Sequence, residues 1–121
     1  MEFSEMSQTT RASWKTLPAP DRRERLNVPE IFSDAAADRM RCGHVPVDMD
    51  DRWFIYFEDG WLHFHRSWTG AHIFALRLDG CPSGVRVIEG WASREPEQYC
   101  SPGVEQDRQI VVGLIHSRFG Q

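Results

Sequence analysis

The fold is decided between positions 53 and 66, where the chain reads WFIYFEDGWLHFHR. Two runs rich in aromatic and β-branched residues flank Asp59-Gly60, and Asp-Gly between such runs is the strongest short-range signal for a β-hairpin. Both central residues of a type I′ turn have positive φ, which Gly adopts freely and Asp tolerates. The stretch therefore predicts two antiparallel strands in which Ile55 lies opposite Phe64.

Successive residues of a strand point to opposite faces, so this pairing sorts the hairpin into two surfaces. One is apolar and suits the protein core; it consists of Trp53, Ile55, Phe57, Leu62 and Phe64. The other, the aromatic–histidine face, combines apolar rings with polar tips; it consists of Phe54, Tyr56, Glu58, Trp61, His63 and His65. Because Arg66 and Trp68 follow directly, our candidate binding residues are Phe54, Tyr56, Trp61, His63, His65, Arg66 and Trp68.

The segment Pro29–Arg41 is predicted to form the first helix. Pro suits the first helical position, where its missing N–H costs nothing, and Glu30 in the first turn complements the helix dipole. Gly43 follows as a C-terminal stop. Helical spacing selects one stripe for burial, made up of Phe32, Ala35, Ala36 and Met40.

A third strand, Ala71–Leu78, is predicted after the hairpin, and its register has two solutions. A loop of residues 69–71 places apolar side chains on the core face, namely Phe74, Leu76 and Leu78. A loop of residues 69–70 instead brings His72 beside His63 and His65, because a one-residue slip exchanges the faces. The first register buries more apolar surface, so we favour it.

The remaining elements are a fourth strand and a second helix. A turn-rich loop at 79–84 leads into the strand Val85–Trp91, which has on one face Val85, Val87 and Trp91. The helix Pro102–Phe119 starts with Ser101 as its N-cap and Pro at the first helical position. Its apolar side chains recur at helical spacing, which outweighs the β-branched run at 110–112 that would favour a fifth strand.

The predicted fold is therefore α+β. It is a four-stranded, mostly antiparallel meander at residues 53–91, with one helix before it and one after it. The chain of 121 residues has the length of one domain. We assign residues 1–26, which are polar, to a flexible N-terminal arm and residues 27–121 to a single α+β domain.

Composition restricts the classes of function. The net charge of −4 argues against a nucleic-acid partner, because binding to phosphate backbones needs a basic surface. The three cysteines form no Cys-x-x-Cys pair and indicate reduced thiols, as is usual in the cytoplasm. The sequence has neither a signal-peptide layout nor an apolar run near the ~20 residues of a membrane helix. We expect a soluble cytoplasmic protein without a membrane partner.

His63-x-His65 is the sharpest candidate for chemistry, because side chains two positions apart on a strand share a face. A metal ion would need a further ligand from Glu58, Glu89, His72 or His44. The simpler interpretation is that the imidazoles supply hydrogen-bonding tips to the face, so we predict neither a metal nor a cofactor. The sequence contains no nucleophile elbow and no phosphate-binding glycine loop.

Three interpretations of the aromatic–histidine face remain open: a second core layer under helices, a protein interface, or a platform for a small planar ligand. We expect a binding module that uses this face for a protein partner, or for self-association through Tyr56, Trp61 and His65. The alternative is a small hydrolase-like enzyme or a metal-binding protein, with a pocket around His63 and His65. The sequence does not decide whether a reaction is catalysed.

Overall fold

The computed structural model describes residues 9–120 and shows an antiparallel sheet with two helices. The strands are β1 (Arg23–Arg25), β2 (Ile31–Phe32), β3 (Trp53–Glu58), β4 (Trp61–Arg66), β5 (His72–Cys81) and β6 (Gly84–Ser93). The helices are α1 (Asp34–Cys42) and α2 (Val104–Phe119), and one 3₁₀ turn covers Arg11–Ser13. The strand order is β1-β6-β5-β4-β3, with β2 also paired to β6. None of the helices within residues 9–120 has the length and apolarity needed to cross a lipid bilayer.

The α+β class, with one helix before the meander and one after it, is confirmed. The sheet has six strands rather than the four that we predicted. The two additional strands are short and precede α1; they pair along the outer edge of β6, where Arg23 lies opposite Ser93 and Ile31 opposite Arg86. Their partners are more than 50 residues away in sequence, so no local pattern marks them.

The central hairpin forms as predicted. Asp59 has φ 54° and Gly60 has φ 86°, as a type I′ turn requires. Ile55 lies opposite Phe64, and both are fully buried in the core. The core lies between this face of the sheet and the helices, which contribute Ala36, Ala37, Met40, Val111, Ile115 and Phe119.

A β-bulge between β4 and β5 combines the two registers that the sequence allows. Phe64 lies opposite Phe74, as the favoured register requires, whereas His65 lies opposite His72. The extra residue on β5 is Ile73, and an extra residue of this kind defines a bulge. The predicted core face is therefore correct, and His72 nevertheless reaches the side of the sheet that carries His65.

A second bulge corrects the predicted faces of β6. The register shifts beside Leu78, which lies opposite Val87, and Ile88 is the extra residue. Trp91 consequently lies opposite Ala75, on the aromatic–histidine side of the sheet rather than on the side of Val87. The predicted loop at 79–84 is also shorter than expected, because β5 and β6 continue to a two-residue turn at 82–83.

Helix α1 begins at Asp34 rather than at Pro29. The side chain of Ser33 accepts a hydrogen bond from the N–H of Ala36 and caps the helix, while residues 31–32 pair with β6. The buried stripe is shifted accordingly and consists of Ala36, Ala37 and Met40, whereas Ala35 is exposed. Helix α2 confirms the choice of helix over strand, although Gly103 rather than Ser101 is its N-cap.

Helix α2 is anchored by a buried carboxylate. Asp107 is fully buried and accepts hydrogen bonds from the hydroxyl groups of Tyr99 and Ser101, and Arg94 Nη1 lies 3.0 Å from its Oδ2 atom. Burial and the adjacent carboxylate raise the pKa of Tyr99, so that the phenol remains a hydrogen-bond donor at neutral pH.

The N-terminal segment, residues 9–20, starts beside the end of α1 and then crosses the side of the sheet that faces away from the helices. The N–H of Thr9 donates to the carbonyl of Cys42, Trp14 Nε1 donates to the carbonyl of Ser67, and the N–H of Leu17 donates to the carbonyl of Gly70. Of the arm that we drew at residues 1–26, residues 1–8 lie outside the described part, and β1 lies inside it. The division at residue 26 stays a prediction.

Replacing Phe64 with Ala is expected to lower the free energy of unfolding by about 3–5 kcal/mol, because removing a fully buried ring leaves a cavity. His63→Ala on the opposite face is the comparison, and it should cost less because His63 is partly exposed. Chemical denaturation of both variants measures the difference. Equal losses would contradict our assignment of the two faces.

Gly60→Ala is expected to destabilise the protein by about 1–2 kcal/mol, because it forces an L-residue into the left-handed region. The space around Gly60 is open, so the backbone conformation alone sets this cost. Gly80→Ala is the matched control, since Gly80 also has open space but no positive φ. If thermal melts of the two variants coincide, the type I′ turn does not contribute as proposed.

Candidate ligand-binding cleft

The aromatic–histidine face is covered by the chain's own N-terminal segment rather than by a helix. Phe54, Tyr56 and His65 are 0%, 3% and 1% exposed, respectively. Two contacts, among others, attach this segment to the sheet. The N–H of Leu17 donates a hydrogen bond to the carbonyl of Gly70, and Arg11 Nη2 forms an ion pair with a carboxylate oxygen of Glu58 at 3.0 Å. Tyr56 and His65 are therefore buried within the described chain, while Trp61, the third residue predicted for self-association, is half-buried, and that association stays a prediction.

Four of the seven candidate binding residues come together beneath this segment, namely Phe54, Tyr56, His63 and His65. Two residues that we did not select complete the cluster. His72 on β5 reaches it through the first bulge, and Trp91 on β6 reaches it through the second, with its ring centroid 4.7 Å from that of His72. The only sequence signal for His72 was the register that we did not favour.

The other three candidate residues lie elsewhere. Trp61 is half-buried at the turn end of the hairpin. Arg66 lies on the core side of the sheet, with its guanidinium 4.7 Å from the centroid of the Trp53 ring. Trp68 is 59% exposed in the connection between β4 and β5. Strand alternation explains the position of Arg66, because residues 62, 64 and 66 share one face.

The rings of the cluster form a stacked layer. His65 and His72 stack with centroids 4.2 Å apart and an interplanar angle of 18°. Tyr56 stacks against His63 at 4.7 Å and against His65 at 5.6 Å. Cross-strand aromatic neighbours of this kind fix one another's orientation. The layer therefore presents a preformed wall of ring faces and edges.

The hydrogen bonds of the histidines define which nitrogens remain available. His65 Nδ1 donates to the carbonyl of Gly70 at 2.9 Å, which leaves Nε2 of the neutral ring as an acceptor. This Nε2 atom is buried and has no hydrogen-bond partner within residues 9–120. His63 Nδ1 and His72 Nε2 lie 3.2 Å apart, so one of these nitrogens donates a hydrogen bond to the other.

Burial keeps these imidazoles neutral. Desolvation is the main cause that lowers the pKa of His65 to about 4, against the hydrogen bond to Gly70, and that of His72 to about 2, where His65 and His63 contribute as well. The pKa of His63 is also lowered, again mainly by burial. At neutral pH the cluster therefore supplies uncharged donors and acceptors rather than positive charge.

A cavity of about 450 Å³ separates the cluster from the N-terminal segment. Its floor is formed by Tyr56, His63, His65 and His72, and its roof by Arg11, Thr16, Leu17, Pro18 and Ala19. A neighbouring cavity of about 790 Å³ shares Arg11, Thr16 and Tyr56 with it. Ligand sites typically have volumes of about 300–1,000 Å³, so the space suits a small molecule.

The geometry does not assemble a metal centre in the described part of the chain. Within residues 9–120, no three His, Cys, Asp or Glu side chains are placed to hold a metal ion. His63 and His72 face each other with one nitrogen each, so one of these lone pairs accepts a hydrogen bond instead of binding a metal.

The cleft thus combines flat ring surfaces, neutral imidazole nitrogens and one ion pair at its mouth. Comparisons of the chain with protein-family models, curated proteins and solved structures returned no match. The chemistry of the cleft is therefore the basis on which a function can be assigned.

Acidification from about pH 7.5 to about pH 5 is expected to destabilise the protein through the buried histidines. The pKa of His65 is about 4 in the folded chain against an ordinary 6.5, so between these values only the unfolded chain binds the proton. Each such histidine should lower the free energy of unfolding by about 1.4 kcal/mol per pH unit below pH 6.5. Denaturant melts across this range measure the slope.

His72→Phe should reduce the dependence of the free energy of unfolding on pH by the contribution of one histidine. The substitution keeps a ring in the stack and removes one titrating group. Phe54→Leu is the control, since it perturbs the same cluster without titrating and should lower stability equally at each pH. An unchanged slope in His72→Phe would show that the imidazole is charged or exposed in the folded protein.

Proposed function

We propose that this protein is a binding module for small planar molecules, and that the ligand occupies the cleft between the N-terminal segment and the aromatic–histidine face. One observation carries the proposal. Three imidazoles and a phenol ring from three adjacent strands line a single cavity of about 450 Å³ under a roof formed by Arg11 and residues 16–19. Concave sites with apolar rings and a few placed polar groups are typical of small-molecule binding.

The floor of the cleft favours a planar ligand. The rings of Tyr56, His65 and His72 already lie near-parallel, with interplanar angles of 18–20° between neighbours. A flat ring that enters the cavity can continue this arrangement by offset stacking or by edge-to-face contact, each worth about 0.5–1.5 kcal/mol beyond the area buried. A bulky aliphatic ligand would gain only the burial of its surface.

The electrostatics of the cleft favour an uncharged ligand with a hydrogen-bond donor. The imidazoles are neutral at physiological pH, and the charge of Arg11 is matched by Glu58. His65 Nε2 is a buried acceptor without a donor within residues 9–120. An unsatisfied buried acceptor costs about 1–3 kcal/mol, so a ligand N–H or O–H that reaches it would recover that loss.

A small enzyme with His65 as general base is the second candidate, and one observation favours it. The Gly70 carbonyl fixes the tautomer of His65 and leaves Nε2 with a lone pair, as in a catalytic base. However, a pKa of about 4 makes this imidazole a weak base at neutral pH, far from the value at which proton transfer is most effective. The hydroxyl groups that line the cavity are those of Thr16 and Tyr56. Binding is therefore the better-supported function.

¹⁵N NMR of the histidine ring nitrogens tests the proposal directly. Uncharged nitrogen heterocycles such as indole, indazole and 2-pyridone are titrated into the protein at neutral pH. At least one probe should shift the ring nitrogens of His63, His65 and His72 in a saturable way, with the largest change at His65 Nε2. The absence of any saturable shift at millimolar probe would overturn the proposal.

Two alanines of the same exposed segment provide a matched pair of variants. Ala19 lines the cavity above the histidines, whereas Ala12 lines the neighbouring one. Ala19→Trp should fill the space and abolish binding, while Ala12→Trp should leave it intact. Equal binding by both variants would place the ligand elsewhere. Turnover of a probe that depends on His65 would instead support the enzyme.

A further inference from the structure

Two of the candidate residues that the cleft leaves out line a separate pocket at the edge of the core side. This pocket has a volume of about 230 Å³, and its walls are formed by Arg52, Arg66, Trp68, Thr69 and Gln98. None of these side chains contributes to the cleft described above. We propose that the Arg52–Arg66 pocket binds the oxyanion of a small phosphate or carboxylate compound.

The two arginines are held in place by aromatic rings. The guanidinium of Arg66 lies 4.7 Å from the ring centroid of Trp53, and that of Arg52 lies 5.6 Å from the ring centroid of Trp68. The Arg52 carbonyl accepts a hydrogen bond of 2.9 Å from the N–H of Ser67, which extends the β3–β4 pairing by one step. Stacking on a ring face restrains a guanidinium but leaves its in-plane N–H donors available.

The charges of its two arginines are the second feature of the pocket. Within residues 9–120, neither Arg52 nor Arg66 forms an ion pair, although the chain carries 18 acidic residues against 14 basic ones. Burial lowers the pKa of Arg66; Tyr99 opposes this effect, and the like charge of Arg52 adds a smaller lowering. An anion between the two guanidinium groups would relieve this repulsion.

The shape and donors of the pocket define the class of ligand. A guanidinium presents a planar fork that matches the oxygens of phosphate or carboxylate groups in a bidentate way. Thr69 Oγ1 accepts from the N–H of Ala71, so its hydroxyl proton is free to donate to the same anion. The small volume admits an oxyanion group rather than a large ligand, and two cationic side chains favour a doubly charged phosphate over a carboxylate.

The test is an NMR titration of the full chain with inorganic phosphate, and in a second arm with acetate, at constant ionic strength. The indole N–H of Trp68, which donates to the carbonyl of Met49, reports on the pocket wall and is assigned with Trp68→Phe. Phosphate should shift this signal in a saturable way and leave the signal of Trp91, in the cleft, unchanged. A response to phosphate alone identifies a phosphate site, and a response to both probes identifies a general oxyanion site.

Charge-removing variants decide whether the response belongs to the pocket. Arg52→Gln and Arg66→Gln should each weaken phosphate binding by about tenfold, equivalent to about 1.4 kcal/mol. Arg77→Gln is the matched control, since Arg77 is exposed on β5 and lies 3.6 Å from Glu89. Arg52 is exposed, so its variant remains informative if Arg66→Gln does not fold. No saturable shift in the parent, or the same shift in all three variants, would mean an adventitious ion only and would overturn the proposal.

Discussion

The register shift between Phe64 and His65 is the constraint on which both sides of the sheet depend. On one side of the shift Phe64 lies opposite Phe74 and faces the helices, and on the other His65 lies opposite His72 and faces away from them. If β5 alternated strictly, without the extra residue Ile73, a one-residue slip would exchange its faces. Either the apolar residues of β5 or His72 would then point to the wrong side of the sheet. The bulge allows one strand pair to supply both the core and the imidazole cluster.

The parts of the structure that could be predicted are those with local signals. The Asp59-Gly60 turn, the core face of the hairpin and the apolar spacing of α2 all depend on neighbours within a few residues. The bulges at Ile73 and Ile88 could not be predicted, because they satisfy pairings with distant strands. The roof of the cleft was missed for a different reason: residues 9–20 attach through two backbone hydrogen bonds and through the side chains of Arg11, Trp14 and Lys15, and such single contacts with distant residues leave no periodic pattern. The floor was therefore predictable in part, and the cleft as a whole was not.

Buried polar groups lie on both sides of the sheet. On the helix side, the Asp107 carboxylate accepts hydrogen bonds from Tyr99 and Ser101 and pairs with Arg94, which fixes the position of α2, although Arg94 Nη2 itself is buried without a partner within residues 9–120. On the cleft side, His65 keeps one buried nitrogen without a partner within residues 9–120. Buried groups that stay unsatisfied are uncommon in native proteins, and a functional role or an ordered water or ion can account for them. His65 lines the cavity of the cleft, whereas Arg94 is held by its ion pair with Asp107, so of these two groups His65 is the one that a ligand can complete.

The interrupted strand formed by β1 and β2 also determines how the sheet behaves toward other chains. It covers the outer edge of β6 in two short pieces, with Pro29 between them, and proline has no N–H to offer to an approaching strand. At the opposite edge, β3 pairs with His44 through a single bridge. Short edge strands that contain proline resist edge-to-edge association, the first step toward amyloid-like stacking. Residues 23–32 thus protect an aromatic-rich sheet from aggregation along its β6 side.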